Sequence, residues 1–190
     1  MSHGPLVKIG AATAAEICAH FELKEEAKKL LRDGMDTQAF VAALIENKKY
    51  LDAMAFMAHA LPVREGIWWG CLCMQHALGD DLNPADRAAA TAAIQWVMQP
   101  SEENRAAAKA PAASADAMSP AGALATAASL TGGSIHPPEF PFKPPPPFAP
   151  QGAVARAVKV ASLKGEPAAI AKTQRSYVEL AIQVAEGRLI

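Results

Sequence analysis

Residues 40–78 read FVAALIENKKYLDAMAFMAHALPVREGIWWGCLCMQHAL, and the fold follows from how apolar residues recur in this stretch. Phe40, Val41, Leu44 and Ile45 form one set at helical spacing. Leu51, Met54, Ala55, Ala58 and Leu61 form a second, and Ile67, Cys71, Met74 and Leu78 a third. Each set follows the i, i+3, i+4, i+7 pattern that lines one face of a helix. Glu46-Asn47-Lys48-Lys49 separates the first two sets. Pro62 falls where a first helical turn has no use for an N–H. Short connectors favour antiparallel neighbours, so three helices packed side by side are expected. The third is apolar nearly all round, as buried helices are, yet too short and too interrupted by Gln75 and His76 to span a membrane.

Working outward, the chain of 190 residues has room for one domain. Alanine supplies 43 residues, which favours helix and close helix packing but buries little area per residue. Period-two alternation is missing, so no sheet is expected. The fold class is all-α: a single-domain array of antiparallel helix pairs, with a proline-rich extended strap before the last two helices. Residues 1–12 read as an extended lead-in and 13–136 as the main helical domain. Residues 137–150 read as the strap, and 151–190 as a C-terminal helix pair packing on the same domain.

Start and stop signals punctuate this plan. Thr13 to Phe21 and Lys24 to Arg32 read as helices, the second anchored by Leu30 and Leu31. Gly34 is a stop and Asp36 an N-cap. Asn83-Pro84 opens a helix running to about Met98, with Ala89, Ala93, Trp96 and Val97 on one face. Ser101 with Glu102 and Glu103 opens the next, two acids being favourable at the positive helix end. The alanine-rich run from Ala106 to Ala117 is expected to break at Pro111. Ser119-Pro120 opens a further helix that ends near Gly132-Gly133.

The net charge of −1 provides no bulk field for nucleic acid or anionic lipid. The three cysteines have no framework spacing, which suits a reducing cytoplasm, and no signal peptide is read. Cys71 and Cys73 lie two apart, on nearly opposite helix faces, and read as small buried hydrophobes. Cys73 and His76 share a face, but no second pair completes a zinc site. His59 and His76 read as structural. No phosphate loop, nucleophile elbow or HExxH occurs, so no catalytic residue, metal ligand or cofactor is assigned. Trp68 and Trp69 are adjacent and cannot both face inward; one belongs to a rim or a partner surface.

The run PPEFPFKPPPPFAP has eight prolines in fourteen residues, which excludes helix and central strand and favours polyproline II. One reading is a ligand for another domain's aromatic groove. The favoured reading is a strap across the protein's own helices, with Phe140, Phe142 and Phe148 as pegs, because each exposed ring forgoes roughly 1.5–3 kcal/mol of burial. Candidate partner-binding residues are Trp68, Trp69, Tyr50, Phe140, Phe142 and Phe148.

Four segments, KKYLDAMAFMAHALPVREGIWWGCLC, WVMQPSEENRAAA, GGSIHPPEFPFKPPPPF and AIQVAEGR, together resemble an uncharacterised bacterial all-helical domain family over roughly residues 35–188. The resemblance associates the chain with type VI secretion gene neighbourhoods, near spike, PAAR-tip and effector genes. It carries no catalytic residue to transfer. It implies a cytoplasmic, non-enzymatic accessory factor, an adaptor or chaperone whose partner is a secretion spike, a PAAR-type tip or an effector. The alternatives are an immunity protein against a cognate toxin, for which a concentrated acidic or basic face is expected and not seen, and an enzyme of unspecified type.

Overall fold

Polar side chains at the connectors decide where helices begin. The computed structural model describes residues 4–116, 118–137 and 139–189, and among them the structure is all-α with no strand. Thr13 caps α1 (Ala14–Cys18) by accepting from the Glu16 N–H. Asp36 caps α3 (Thr37–Glu46) through Ala39, and Asn83 caps α6 (Pro84–Met98) through Asp86. Ser101 caps α7 (Glu102–Ala107) through Asn104, and Ser119 caps α9 (Pro120–Ser129) through Ala121 and Gly122. Each such cap stabilises its helix by about 1 kcal/mol. The remaining elements are α2 (Glu25–Lys28), α4 (Tyr50–Ala60), α5 (Val63–Leu78), α8 (Lys109–Ser114), α10 (Ala149–Ser162) and α11 (Ile170–Ala185), with a 3-10 turn at Pro167–Ala169.

The core is built around α5, α9, α10 and α11. Ile67, Trp69, Cys73 and Gly70 of α5 are buried, as are Leu124 and the small residues Ala121, Gly122, Ala123, Ala125, Ala127 and Ala128 of α9. Those small side chains let α6 and α10 approach α9 closely. Val154 and Val158 of α10 and Tyr177, Ala181 and Val184 of α11 complete the core, as their spacing predicts. Two polar ties lock α11 to α5. The Trp69 Nε1–H donates to the Tyr177 carbonyl at 2.9 Å, and the Tyr177 hydroxyl donates to the Cys73 carbonyl at 2.9 Å. A buried indole or phenol needs such a partner, or it forfeits the desolvation cost of its polar atom.

Several expectations are corrected. The central three helices do not pack simply side by side: α10 contacts both α4 and α5, and α11 also packs on both, so the C-terminal pair supplies most of what joins them. The helix expected over Lys24 to Arg32 is only the four residues of α2, and Leu30 and Leu31 are half-buried beyond its end. The alanine-rich run breaks at Ala108, three residues before Pro111. A proline collides with the carbonyl four residues back, so the chain restarts as α8 and places Pro111 in the first turn, where no N–H is required. The proline segment is cut short as well, because Ala149 and Pro150 open α10. Residues 1–3 of the lead-in, Ala117 after α8, Pro138 of the strap and Ile190 lie outside the described residues.

Candidate functional site

Among the candidate residues, Trp69 drops out as a contact for a partner. It is fully buried, and the structural reason is its tie to Tyr177 across the α5–α11 contact. Its neighbour Trp68 stays half-buried at the rim, its Nε1–H donating to the Leu189 carbonyl at 2.7 Å. Trp68 lines a small cavity of about 140 Å³ with Arg64, Glu65, Val97 and Met98. Met98, which sequence reasoning treated only as a helix end, is 71% exposed there. Arg64 is already engaged within the cavity wall, its Nε–H donating to the Val97 carbonyl at 2.7 Å.

The proline segment divides into two parts. Phe148 has φ 58° and stacks on the His20 ring at 3.7 Å, so it serves as a peg. Phe140 and Phe142 do not: they are 57% and 71% exposed, which corrects the expectation that all three rings pack on the helices. The cause lies in how the segment is held. The Ile135 N–H donates to the Lys143 carbonyl at 2.8 Å, and Ser134 Oγ accepts from the His136 and Lys143 N–H groups. His136 Nδ1 bonds the Pro141 carbonyl at 3.0 Å, and Lys109 Nζ donates to the Ser134 carbonyl at 3.1 Å. The excursion is therefore closed by its own backbone and its polar neighbours. Its apex leaves the two phenyl rings largely exposed, where they line a cavity with Lys109, Ser134, His136 and Pro137, Phe140 meeting the His136 ring edge-on at 6.3 Å. Ser134, His136 and Lys109 escape a sequence reading because no periodicity links them.

At the C-terminal end of α9, just before this excursion, lies a purely structural constellation. Arg105, only 8% exposed, donates to both Glu102 carboxylate oxygens and, at 2.9 Å, to the Ser129 carbonyl. The hydrogen bond from Arg105 holds the Glu102 carboxyl below its usual range. Gly133, with φ 68°, lets its backbone pass so close to the guanidinium that a Cβ there would sit 2.5 Å from Arg105 Nη2.

Tyr50 opens α4 and is half-buried. It lines a third cavity, of about 290 Å³, with Lys24, Lys48, Lys49, Asp52 and Gln174. Gln174 carried no signal beyond being a polar residue on the inward stripe of α11.

The histidines and cysteines of the packed helices have structural work. His76 Nδ1 lies 3.2 Å from the Tyr177 hydroxyl. Because that hydroxyl spends its proton on Cys73, the histidine is the donor there. His59 Nδ1 bonds the Ala55 carbonyl and the ring stacks on Phe21, while burial lowers its pKa. Burial pushes the Cys71 thiol up to about 12, Cys73 well above its ordinary value and Cys18 to about 11, so none is an activated thiolate. Among the described residues, no three His, Cys, Asp or Glu side chains gather as metal ligands would, and no helix is long and apolar enough to cross a membrane.

What the fold and these surfaces define is an all-α domain that carries an outward aromatic hook and small rim cavities. The chain belongs to DUF6931, a family of unknown function whose model matches residues 40–185. That span takes in most of α3, the helices α4 to α10, the hook and all of α11. No curated protein and no solved structure matches the chain.

Proposed function

We propose that the chain is a non-enzymatic protein-binding factor, an adaptor or chaperone of a bacterial type VI secretion system that helps load an effector or spike-tip protein in the cytoplasm. The observation carrying the binding reading is the pair Phe140 and Phe142, 57% and 71% exposed on a loop held by hydrogen bonds at both of its ends. Rigid exposed aromatics lose little entropy when a partner covers them, and they anchor interfaces. The secretion system and the bacterial setting rest on the resemblance of the four sequence segments to a family associated with those gene neighbourhoods. The formal charge of −1 favours an apolar contact with a polar rim over electrostatic capture, and speaks against nucleic acid as partner.

The test is affinity capture from the native host with the full chain and with the double variant Phe140→Ser/Phe142→Ser. Co-purification of a spike, PAAR-type tip or effector with the unaltered chain, and its loss with the variant at unchanged helical circular dichroism, is the expected outcome. Capture of a lone toxin whose activity the chain abolishes would replace loading with neutralisation. Turnover in a broad hydrolase or transferase screen would overturn the non-enzymatic reading.

A further inference from the structure

Pro144 to Pro147 form a ridge whose shape follows from sterics. Residues 141–146 are neither helix nor strand. Lys143, Pro144, Pro145 and Pro146 each precede a proline, and the ring that follows pushes each into extended backbone with ψ of about 120–160°. Each proline also fixes its own φ at about −65°, so the run is polyproline II. Both ends of the ridge are held. The Lys143 N–H donates to Ser134 Oγ at 3.2 Å, and the Lys143 carbonyl accepts from the Ile135 N–H at 2.8 Å. At the far end the Ala149 N–H donates to the Pro146 carbonyl at 3.2 Å, with Phe148 at φ 58° and ψ 12°. A proline followed by a left-handed residue makes a type II turn, which keeps Pro147 extended as well.

Polyproline II has about three residues per turn, so residues three apart share an edge of the prism. Burial follows that period. Pro145 and Phe148 share one edge and are half-buried, Phe148 stacking on the His20 ring at 3.7 Å. Lys143 and Pro146 share the second edge, Pro144 and Pro147 the third, and all four are exposed. One edge therefore rests on the chain itself, and two are presented to solvent. Packing accounts for Pro145, and the turn favours proline at position 147. Neither accounts for Pro144 or Pro146. The charge around the ridge is one-sided as well. Lys143 opens it, Lys109 donates to the carbonyl of the Ser134 that holds it, and Glu139 is the one acid between Ser134 and Phe148.

We propose that the Lys143–Pro147 ridge seats in the aromatic-lined groove of a partner domain, its two outer edges filling the slots of the groove and Lys143 pairing with an acidic group on the rim. Proline rings offer flat apolar faces to aromatic side chains, and a ridge ordered before binding loses little conformational entropy on docking. This rests on the protein-binding reading above and specifies the chemistry of the partner's surface.

The experiment is an amide NMR titration of the full chain with three probes at up to about 1 mM. They are an SH3 domain that takes proline–lysine ligands in an acid-rimmed groove, the same domain with its groove tryptophan changed to alanine, and a WW domain chosen for a groove without an acidic rim. The expected result is saturable shifts of the Phe142, Lys143 and Phe148 amides with the unaltered SH3 domain. Pro144→Ala/Pro146→Ala and Lys143→Glu should each weaken that binding about tenfold or more. Pro145→Ala, on the inward edge, should leave the affinity unchanged, with helical circular dichroism the same in every variant. The proposal is overturned if the SH3 domain moves none of these resonances, if its groove variant binds as well, if the WW domain binds as tightly, or if Pro145→Ala weakens binding as much as Pro144→Ala alone. The ridge variants keep Phe140 and Phe142, and the titration uses no native partner. A null titration with native capture intact removes only the ridge, whereas capture that fails while the titration succeeds removes only the secretion-partner reading.

Discussion

Gly70→Ala tests whether the α5–α9 contact is as tight as the structure requires. Gly70 is buried in α5, and a Cβ built on it would lie 2.3 Å from Leu124 Cδ2 and 3.5 Å from Cγ. Two effects oppose each other. Alanine in a helix interior gains about 0.5–1 kcal/mol over glycine. Against this, the atom it strikes is the end of a flexible side chain, but Leu124 is 0% exposed, so its methyl cannot swing into solvent. Overpacking of a closed site costs about 1–3 kcal/mol. The clash wins, with a net loss on the order of 1–2 kcal/mol, and at about 2–4 °C per kcal/mol the melting temperature falls by several degrees. Thermal and urea unfolding of four proteins complete the assay: the unaltered chain, Gly70→Ala, Leu124→Ala and the double variant. Leu124→Ala alone should cost about 2–5 kcal/mol through its cavity. In the Gly70→Ala background it should cost less, by a coupling of about 0.5–3 kcal/mol, because the new methyl occupies part of the void. A Gly70→Ala variant as stable as the parent, or additive single changes, would refute the close approach of α5 and α9.

Two further outcomes follow from the buried titratable groups. Burial holds His59 below its unfolded pKa of about 6.5, so its contribution to stability is complete above that value and is lost as the pH falls through it. Stability should therefore drop as the pH falls below about 6.5, and His59→Phe, which keeps the stack on Phe21, should flatten that part of the profile; an unchanged slope would show that His59 is not the group responsible. Cys71 and Cys73, both buried with raised pKa values, should resist a disulfide-exchange reagent near neutral pH until the chain unfolds, with half-buried Cys18 reacting first; prompt native-state reaction of all three thiols would contradict their packing.

The sequence by itself determined the helical class and most helix starts, because both are local. Asp36, Asn83, Ser101 and Ser119 cap the amides two or three residues ahead of them, and a 3.6-residue period can be read without knowing what covers it. The inward stripe of α11 was legible on the same ground. The partners of each helix were not, since α10 joins α4 and α5 across nearly a hundred residues and nothing local records the match. The proline segment marks the boundary most sharply. Its composition rules out helix and strand, but whether its rings lie inward or outward depends on Ser134, His136 and Lys109, which close the loop on itself and leave Phe140 and Phe142 in solvent. The same holds for the two tryptophans. Adjacency on a helix decides that they face different directions, but only α11, arriving with Tyr177, decides that Trp69 is the buried one. Gln174 is an ordinary polar residue in the sequence; only the fold makes it a mostly buried one in the wall of the Tyr50 cavity, because burial depends on what packs around a residue.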